Sequence, residues 1–217
     1  MRRKWKHWLP VGILIGTLLI PSMGVHASTF NVVISSGSLT GSSATLAFDF
    51  IDGGSPTNTV ILSTLTYSAD GMQGNASITG DVMDTPPGSG TGPWTFSDLG
   101  NTSGFNELLV DFTKMATSLA FSFTTTDFPR DPGSSADDSF SFFVLDFLTG
   151  APLITTVDPD DADALFVFSS GHGLQLNPLD QVGFSLEVTQ PQGVPEPGSL
   201  ALLVAAFSAM FARRRFI

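Results

Sequence analysis

Between residues 28 and 193 apolar side chains recur at every second position, in short runs that glycine, proline and aspartate interrupt. Phe30, Val32 and Ile34 alternate with Asn31, Val33 and Ser35, and Leu46, Phe48 and Phe50 with Thr45, Ala47 and Asp49. Leu108, Val110 and Phe112 face away from Glu107, Leu109 and Asp111. Leu119, Phe121 and Phe123 alternate with Ala120, Ser122 and Thr124, and Val182, Phe184, Leu186 and Val188 with Gly183, Ser185, Glu187 and Thr189. In an extended chain this period puts one row of side chains into a core and leaves the other for solvent. Residues 60–67 are β-branched and Thr-rich, residues 165–168 form a short apolar run, and residues 140–148 are nearly continuous apolar, as for a strand covered on both faces. Turn chemistry separates the runs at residues 52–56, Asp70-Gly71, residues 86–90 and residues 131–133. About ten strands at such spacing predict an all-β fold, a single jelly-roll-like β-sandwich, and no long amphipathic helix.

The predicted β-sandwich domain spans residues 28–193, long enough for one core. The Pro- and Gly-rich residues 85–93 read as an exposed loop within it, because the strand patterns on either side would each make an undersized sheet alone. The linker proper is residues 190–194. With no cysteine, the domain depends on packing rather than on disulfides.

Both flanks have a different character. Arg2, Arg3, Lys4 and Lys6 precede an apolar run over residues 9–20, and small residues follow at Val25-His26-Ala27. This is the pattern of a secretory signal peptide over residues 1–27, with signal peptidase expected to cut after Ala27. At the other flank, Val194, Pro195, Glu196 and Pro197 lead into an apolar segment, residues 200–212, and then Arg213, Arg214 and Arg215. Each proline fixes φ and removes a backbone donor, so the lead-in is stiff. A helix over the apolar segment, at ~1.5 Å per residue, covers about two-thirds of a ~30 Å hydrocarbon core. It becomes a marginal transmembrane helix, residues 199–212, when the arginines snorkel and act as a cytoplasmic stop. A core helix would show a polar face, and this segment has none. Basic clusters before the first apolar run and after the second predict that the intervening domain lies outside the inner membrane.

Pro195-Glu196-Pro197, the short apolar helix and the three arginines, in that order over residues 194–217, resemble a PEP-CTERM protein-sorting signal. The resemblance implies a Gram-negative host that makes extracellular polysaccharide. It also implies exosortase as a partner that recognises and cuts the tail. Two stretches of the domain, residues 101–109 and residues 138–146 with 163–166, resemble an uncharacterised group of PEP-CTERM proteins, which implies no activity and no site.

Charge and residue supply then narrow the chemistry. Of nine basic residues four precede Ser28 and three follow Ala212, leaving Lys114 and Arg130; of twenty acidic residues all but Glu196 lie in the domain, whose formal charge is −17. Such a surface repels nucleic acid and anionic membranes and gathers cations. His172, between two glycines, is the domain's one histidine and reads as a loop residue. There is no Gly-x-Ser-x-Gly elbow, no phosphate-binding loop with its lysine, and no ligand set for zinc. A carboxylate pair for glycoside hydrolysis is affordable in number, yet Trp94 and Tyr67 are the domain's only large aromatic platforms for sugar besides phenylalanine. Asp158, Asp160, Asp161 and Asp163 form the densest acidic run, with hard oxygens of the kind Ca²⁺ takes, but Ala162 and Ala164 break the EF-hand spacing. Asp137-Asp138 offers the same two readings, cation site or solvated turn. Asn75 and Asn101 match glycosylation acceptors, a match expected by chance in bacteria. The expectation is a non-enzymatic exported protein of the cell surface or extracellular matrix, structural or adhesive, with no cofactor. The alternative is a carbohydrate-binding module, Ca²⁺-assisted, acting on extracellular polysaccharide.

Overall fold

The computed structural model describes residues 27–54, 58–98, 104–126, 137–157, 163–169 and 172–191. Thirteen strands lie among them: β1 (Ser28–Ser35), β2 (Ala44–Ile51), β3 (Thr59–Leu62), β4 (Thr66–Tyr67), β5 (Met72–Thr79), β6 (Val82–Asp84), β7 (Trp94–Ser97), β8 (Phe105–Lys114), β9 (Ser118–Thr125), β10 (Ser139–Leu145), β11 (Phe166–Ser169), β12 (Gly173–Leu176) and β13 (Ser185–Thr189). They form two antiparallel sheets. The first runs β13-β1-β9-β3-β7-β6, with β4 also paired to β9; the second runs β12-β11-β10-β2-β8-β5. No helix among the described residues is long and apolar enough to cross a membrane, and the predicted span over residues 199–212 lies outside them.

The alternation in the chain becomes the core. Phe30, Val32 and Ile34 of β1, Leu119, Phe121 and Phe123 of β9 and Trp94 and Phe96 of β7 point inward from the first sheet. Leu46, Phe48 and Phe50 of β2, Leu108, Val110 and Phe112 of β8, Phe140 and Phe142 of β10 and Phe166 of β11 meet them from the second. Rings interlock across the gap, Phe48 on Phe121 at 5.2 Å, Phe96 on Phe140 at 5.4 Å and Phe123 on Phe166 at 5.1 Å between centroids. These distances are those of favourable offset and edge contacts, which add to the burial of apolar area.

Three expectations need correction. Residues 60–67 are not one strand: β3 ends at Leu62, Ser63 exchanges hydrogen bonds with Ser122, and β4 resumes at Thr66 opposite Ala120. The run over residues 140–148 ends as a strand at Leu145, because Asp146 accepts the backbone N–H groups of Leu148 (3.0 Å) and Thr149 (2.8 Å) and closes a turn that leaves Leu148 exposed. Val182 does not join the inward row of Phe184, Leu186 and Val188 but is 98% exposed. Gly183, at φ 86°, turns the chain there so that its carbonyl accepts the Ser38 N–H at 3.0 Å. The approach is so close that a Cβ on Gly37 would lie 2.1 Å from that carbonyl oxygen.

The Pro- and Gly-rich residues 85–93 are a loop within the fold, joining β6 to β7, whose register pairs Asp84 with Trp94. Asp84 organises it. Its buried carboxylate accepts the Gly90 N–H (2.6 Å), the Ser89 hydroxyl (2.9 Å) and the Gly92 N–H (3.2 Å). Burial works against the charge, and these donors outweigh it, holding the carboxyl below its ordinary range. Gly92 lies over the indole: a Cβ there would stand 2.5 Å from Cε3 of Trp94. Asp84→Ala is expected to cost about 1–3 kcal/mol at neutral pH by orphaning three donors. Because the folded-state pKa is depressed, the difference from wild type shrinks as pH falls through it, a trend that thermal melts at pH 7 and in strong acid would check.

Candidate functional site

Of the predicted processing residues, Ala27 is described: it is exposed, one residue before Ser28 opens β1 opposite Thr125. Val194, Pro195, Glu196, Pro197, Arg213, Arg214 and Arg215 lie outside the described residues, as do Asp158, Asp160, Asp161, Arg130 and Asn101. Asp163, the remaining member of the acidic run, accepts the Thr156 N–H at 2.8 Å and so serves its own loop. Asn75 is exposed on β5. His172 sits in the turn between β11 and β12, more than half exposed, with Nδ1 3.5 Å from Asp137 Oδ2. That is a surface contact, not a base oriented on a nucleophile. Trp94 is fully buried, so of the two platforms proposed for sugar only Tyr67 is open; it is 40% exposed and stands edge-on to Phe112.

The chemistry-bearing groups gather in two places. The first is the outer face of the second sheet. Asp49 of β2 pairs across the ladder with Glu107 of β8 on one side and Ser141 of β10 on the other. On the same face Thr45 donates to Asp111 at 2.9 Å. Asp49 Oδ1 is buried without a hydrogen-bond partner. Burial first, and the neighbouring Glu107 charge second, raise its carboxyl to about 7.

The second lies at the end of the sandwich where β2, β7 and β9 finish and β3 and β10 begin. There the inward rows change from rings to oxygen. Phe48 and Phe50 are followed two places on by half-buried Asp52, Trp94 and Phe96 by half-buried Asp98, and Phe123 by buried Thr125; Val60 is preceded two places back by buried Asn58, and Phe140 by buried Asp138. Asp138 is fully buried; its Oδ1 accepts the Gly53 N–H at 2.6 Å and its Oδ2 the Asn58 side-chain amide. Asn58, 1% exposed, donates its backbone N–H to Asp98 Oδ2 at 2.7 Å. Asp52 Oδ1 accepts the Gly54 N–H at 2.6 Å. Burial raises the Asp98 carboxyl; the Asn58 N–H opposes this, and the charges of Asp52 and Asp138 add to it. Asn58 Oδ1, Asp98 Oδ1 and the Thr125 hydroxyl are buried with no hydrogen-bond partner. The periodicity carried this signal, since each oxygen-bearing residue stands two places before or after an inward apolar one. What it lacked was the knowledge that these strand ends are neighbours. Among the described residues no three histidine or carboxylate groups converge on a ready-made metal site.

The fold defines an all-β protein of two packed antiparallel sheets. No family model, curated protein or solved structure matches the chain.

Proposed function

We propose that this is an exported protein of the cell surface or extracellular matrix, delivered by a PEP-CTERM-type C-terminal signal and structural or adhesive rather than enzymatic. The observation that carries it is the fixed order at residues 194–217: Pro-Glu-Pro, an apolar segment over residues 200–212, and three arginines. The domain is compatible with cutting on both sides. Ser28 begins β1 and Thr189 ends β13, so neither expected cut, after Ala27 or near Pro195, Glu196 and Pro197, removes a core residue. Signal peptidase and exosortase are the processing partners, the inner membrane is the transient anchor, and a jelly-roll-like sandwich is the cargo.

The carbohydrate-binding alternative draws on the oxygen-rich end of the sandwich as a place for Ca²⁺, against a shortage of rings, since Trp94 is buried. Retention of the mature protein on the host's own polysaccharide, lost on Tyr67→Ala, is the result that would favour it.

The sorting proposal is tested by mass and fractionation. The mature protein is expected to start at Ser28 and, after a cut near Pro195, Glu196 and Pro197, to lack the apolar segment and Arg213, Arg214 and Arg215. Replacing Pro195, Glu196 and Pro197 together by alanine is expected to leave an uncut form in the inner membrane and to lower the surface-delivered fraction by tenfold or more, an order-of-magnitude figure for a lost recognition motif. An unchanged destination and an unchanged C-terminus in that variant would overturn the assignment.

A further inference from the structure

We propose that the oxygen-lined end of the sandwich is a binding site for a divalent cation of the Ca²⁺ class, with Asn58, Asp98 and Asp52 as donors and Asp138 as the buried carboxylate that holds them. The argument rests on what lies between the two sheets at that end. Inward positions of β2, β7 and β10 lead into Asp52, Asp98 and Asp138, three acids at the edge of an aromatic core. Among the described residues the basic side chains are Lys114, at the opposite end of β8, and the exposed His172 on Asp137. Placing carboxylates against a core with no positive partner is costly unless a cation or protons compensate.

Asn58 points to a cation. Its backbone N–H donates to Asp98 and its side-chain nitrogen to Asp138, so the residue bridges two acids. The amide oxygen is buried there without a partner, and so is Asp98 Oδ1. Such oxygens lack a positive partner, and a metal ion is one that an oxygen-only site can take. The donor set is all oxygen, part charged and part neutral, which suits a hard ion. Ca²⁺ takes carboxylate, amide and water oxygens in flexible geometry, whereas Zn²⁺ prefers nitrogen and sulfur. This inference does not depend on the sorting proposal, because binding is measured on purified protein whatever its destination.

The test uses the full chain, purified in detergent, stripped with EDTA and melted with and without calcium chloride. With calcium at about a hundredfold excess over its Kd, Tm is expected to rise by about 5–10 °C. Asp98→Asn, which keeps shape and removes one charge, is expected to lose most of the rise. Asn58→Ala removes the neutral oxygen and should weaken calcium binding in calorimetry by tenfold or more; if that variant does not fold, Asp52→Asn carries the same reading. Asp160→Asn and Asp161→Asn, in the separate acidic run, should keep the full shift. Three outcomes overturn the proposal. One is no calcium shift, with stabilisation on mild acidification that Asp98→Asn removes, in which case protons neutralise the cluster. Another is no calcium shift with marked destabilisation by Arg130→Gln, in which case the chain supplies its own counter-charge. The third is a calcium shift that survives Asp98→Asn and disappears with Asp160→Asn.

Discussion

Phe123→Ala is expected to destabilise the domain by about 3–5 kcal/mol, the largest loss available to a single side chain here. The Phe123 ring is fully buried on β9, the strand between β1 and β3. Its centroid lies 4.9 Å from Phe30, 5.1 Å from Phe166, 5.3 Å from Phe140 and 6.5 Å from Phe168. One of these neighbours belongs to its own sheet and three to the opposite one, so the truncation opens a cavity at the seam rather than at an edge. The lining rings are rigid and their strands are held by ladders on both sides, which limits collapse into the space. In thermal melts the loss corresponds to a fall in Tm of about 8–15 °C. Phe143→Ala, on the half-buried outer face of β10, should lose about a third as much by the same area argument. Near-equal losses at the two positions would mean that the inter-sheet core is not the main source of stability.

Asp49→Asn is expected to stabilise the domain, and only above mildly acidic pH. Burial and Glu107 together raise the Asp49 carboxyl from its ordinary 3.8 to about 7. Between those two values the folded chain holds a proton that the unfolded chain has released. Stability therefore falls as pH rises through this window and levels off above about 7. The full shift would correspond to about 4 kcal/mol, and discounting for the part of the group that water reaches leaves about 1–2 kcal/mol. The amide cannot ionise, so Tm at pH 8 should rise by about 3–6 °C, with little change at pH 4. Glu107→Gln should give a smaller gain of the same sign. The opposite limb comes from Asp70, Asp84 and Asp146. Hydrogen bonds from Ser68 and Thr117 lower Asp70 to about 2, donors at Thr149 and Leu148 lower Asp146, and those of the β6–β7 loop lower Asp84. Their contribution is present above about pH 4 and is lost as pH falls through the depressed values. Wild-type stability should thus peak in mild acid, and the Asn variant should broaden that peak towards alkaline pH.

Where burial is one-sided, the fold could be read from the chain. The rows at Phe30, Leu108 and Phe121 appear as written, because each has a buried face and a more open one; the Leu46 row appears too, although β2 is also buried at Thr45 and Ala47 on its other face. β5 went unseen for the opposite reason. Most of its residues, from Met72 to Thr79, are exposed, and its extended state comes from ladder bonds to β8. β6, β7 and β12 are too short for a period to show. The two polar clusters were half legible. That Asp49 turns outward follows from Phe48 and Phe50 turning inward. That it is nonetheless largely dry depends on β2 lying between β8 and β10, which the chain does not announce. Asp52, Asp98 and Asp138 are far apart in sequence, and only the pairing of β2 with β10 and of β3 with β7 sets the ends of their rows side by side.

The seam between β1 and β13 has a mechanical consequence. The chain enters at Ser28 and leaves after Thr189 at the same end of one antiparallel pair, joined by five rungs from Asn31↔Thr189 to Ser35↔Ser185. Traction applied through both flanks would load those rungs one at a time, in peeling rather than in shear, so the joint yields at low force. Once β13 has peeled away, β1 presents a bare edge and the Phe184 row is without its bed, leaving a vacant slot that another copy's terminal strand has the right residues to fill.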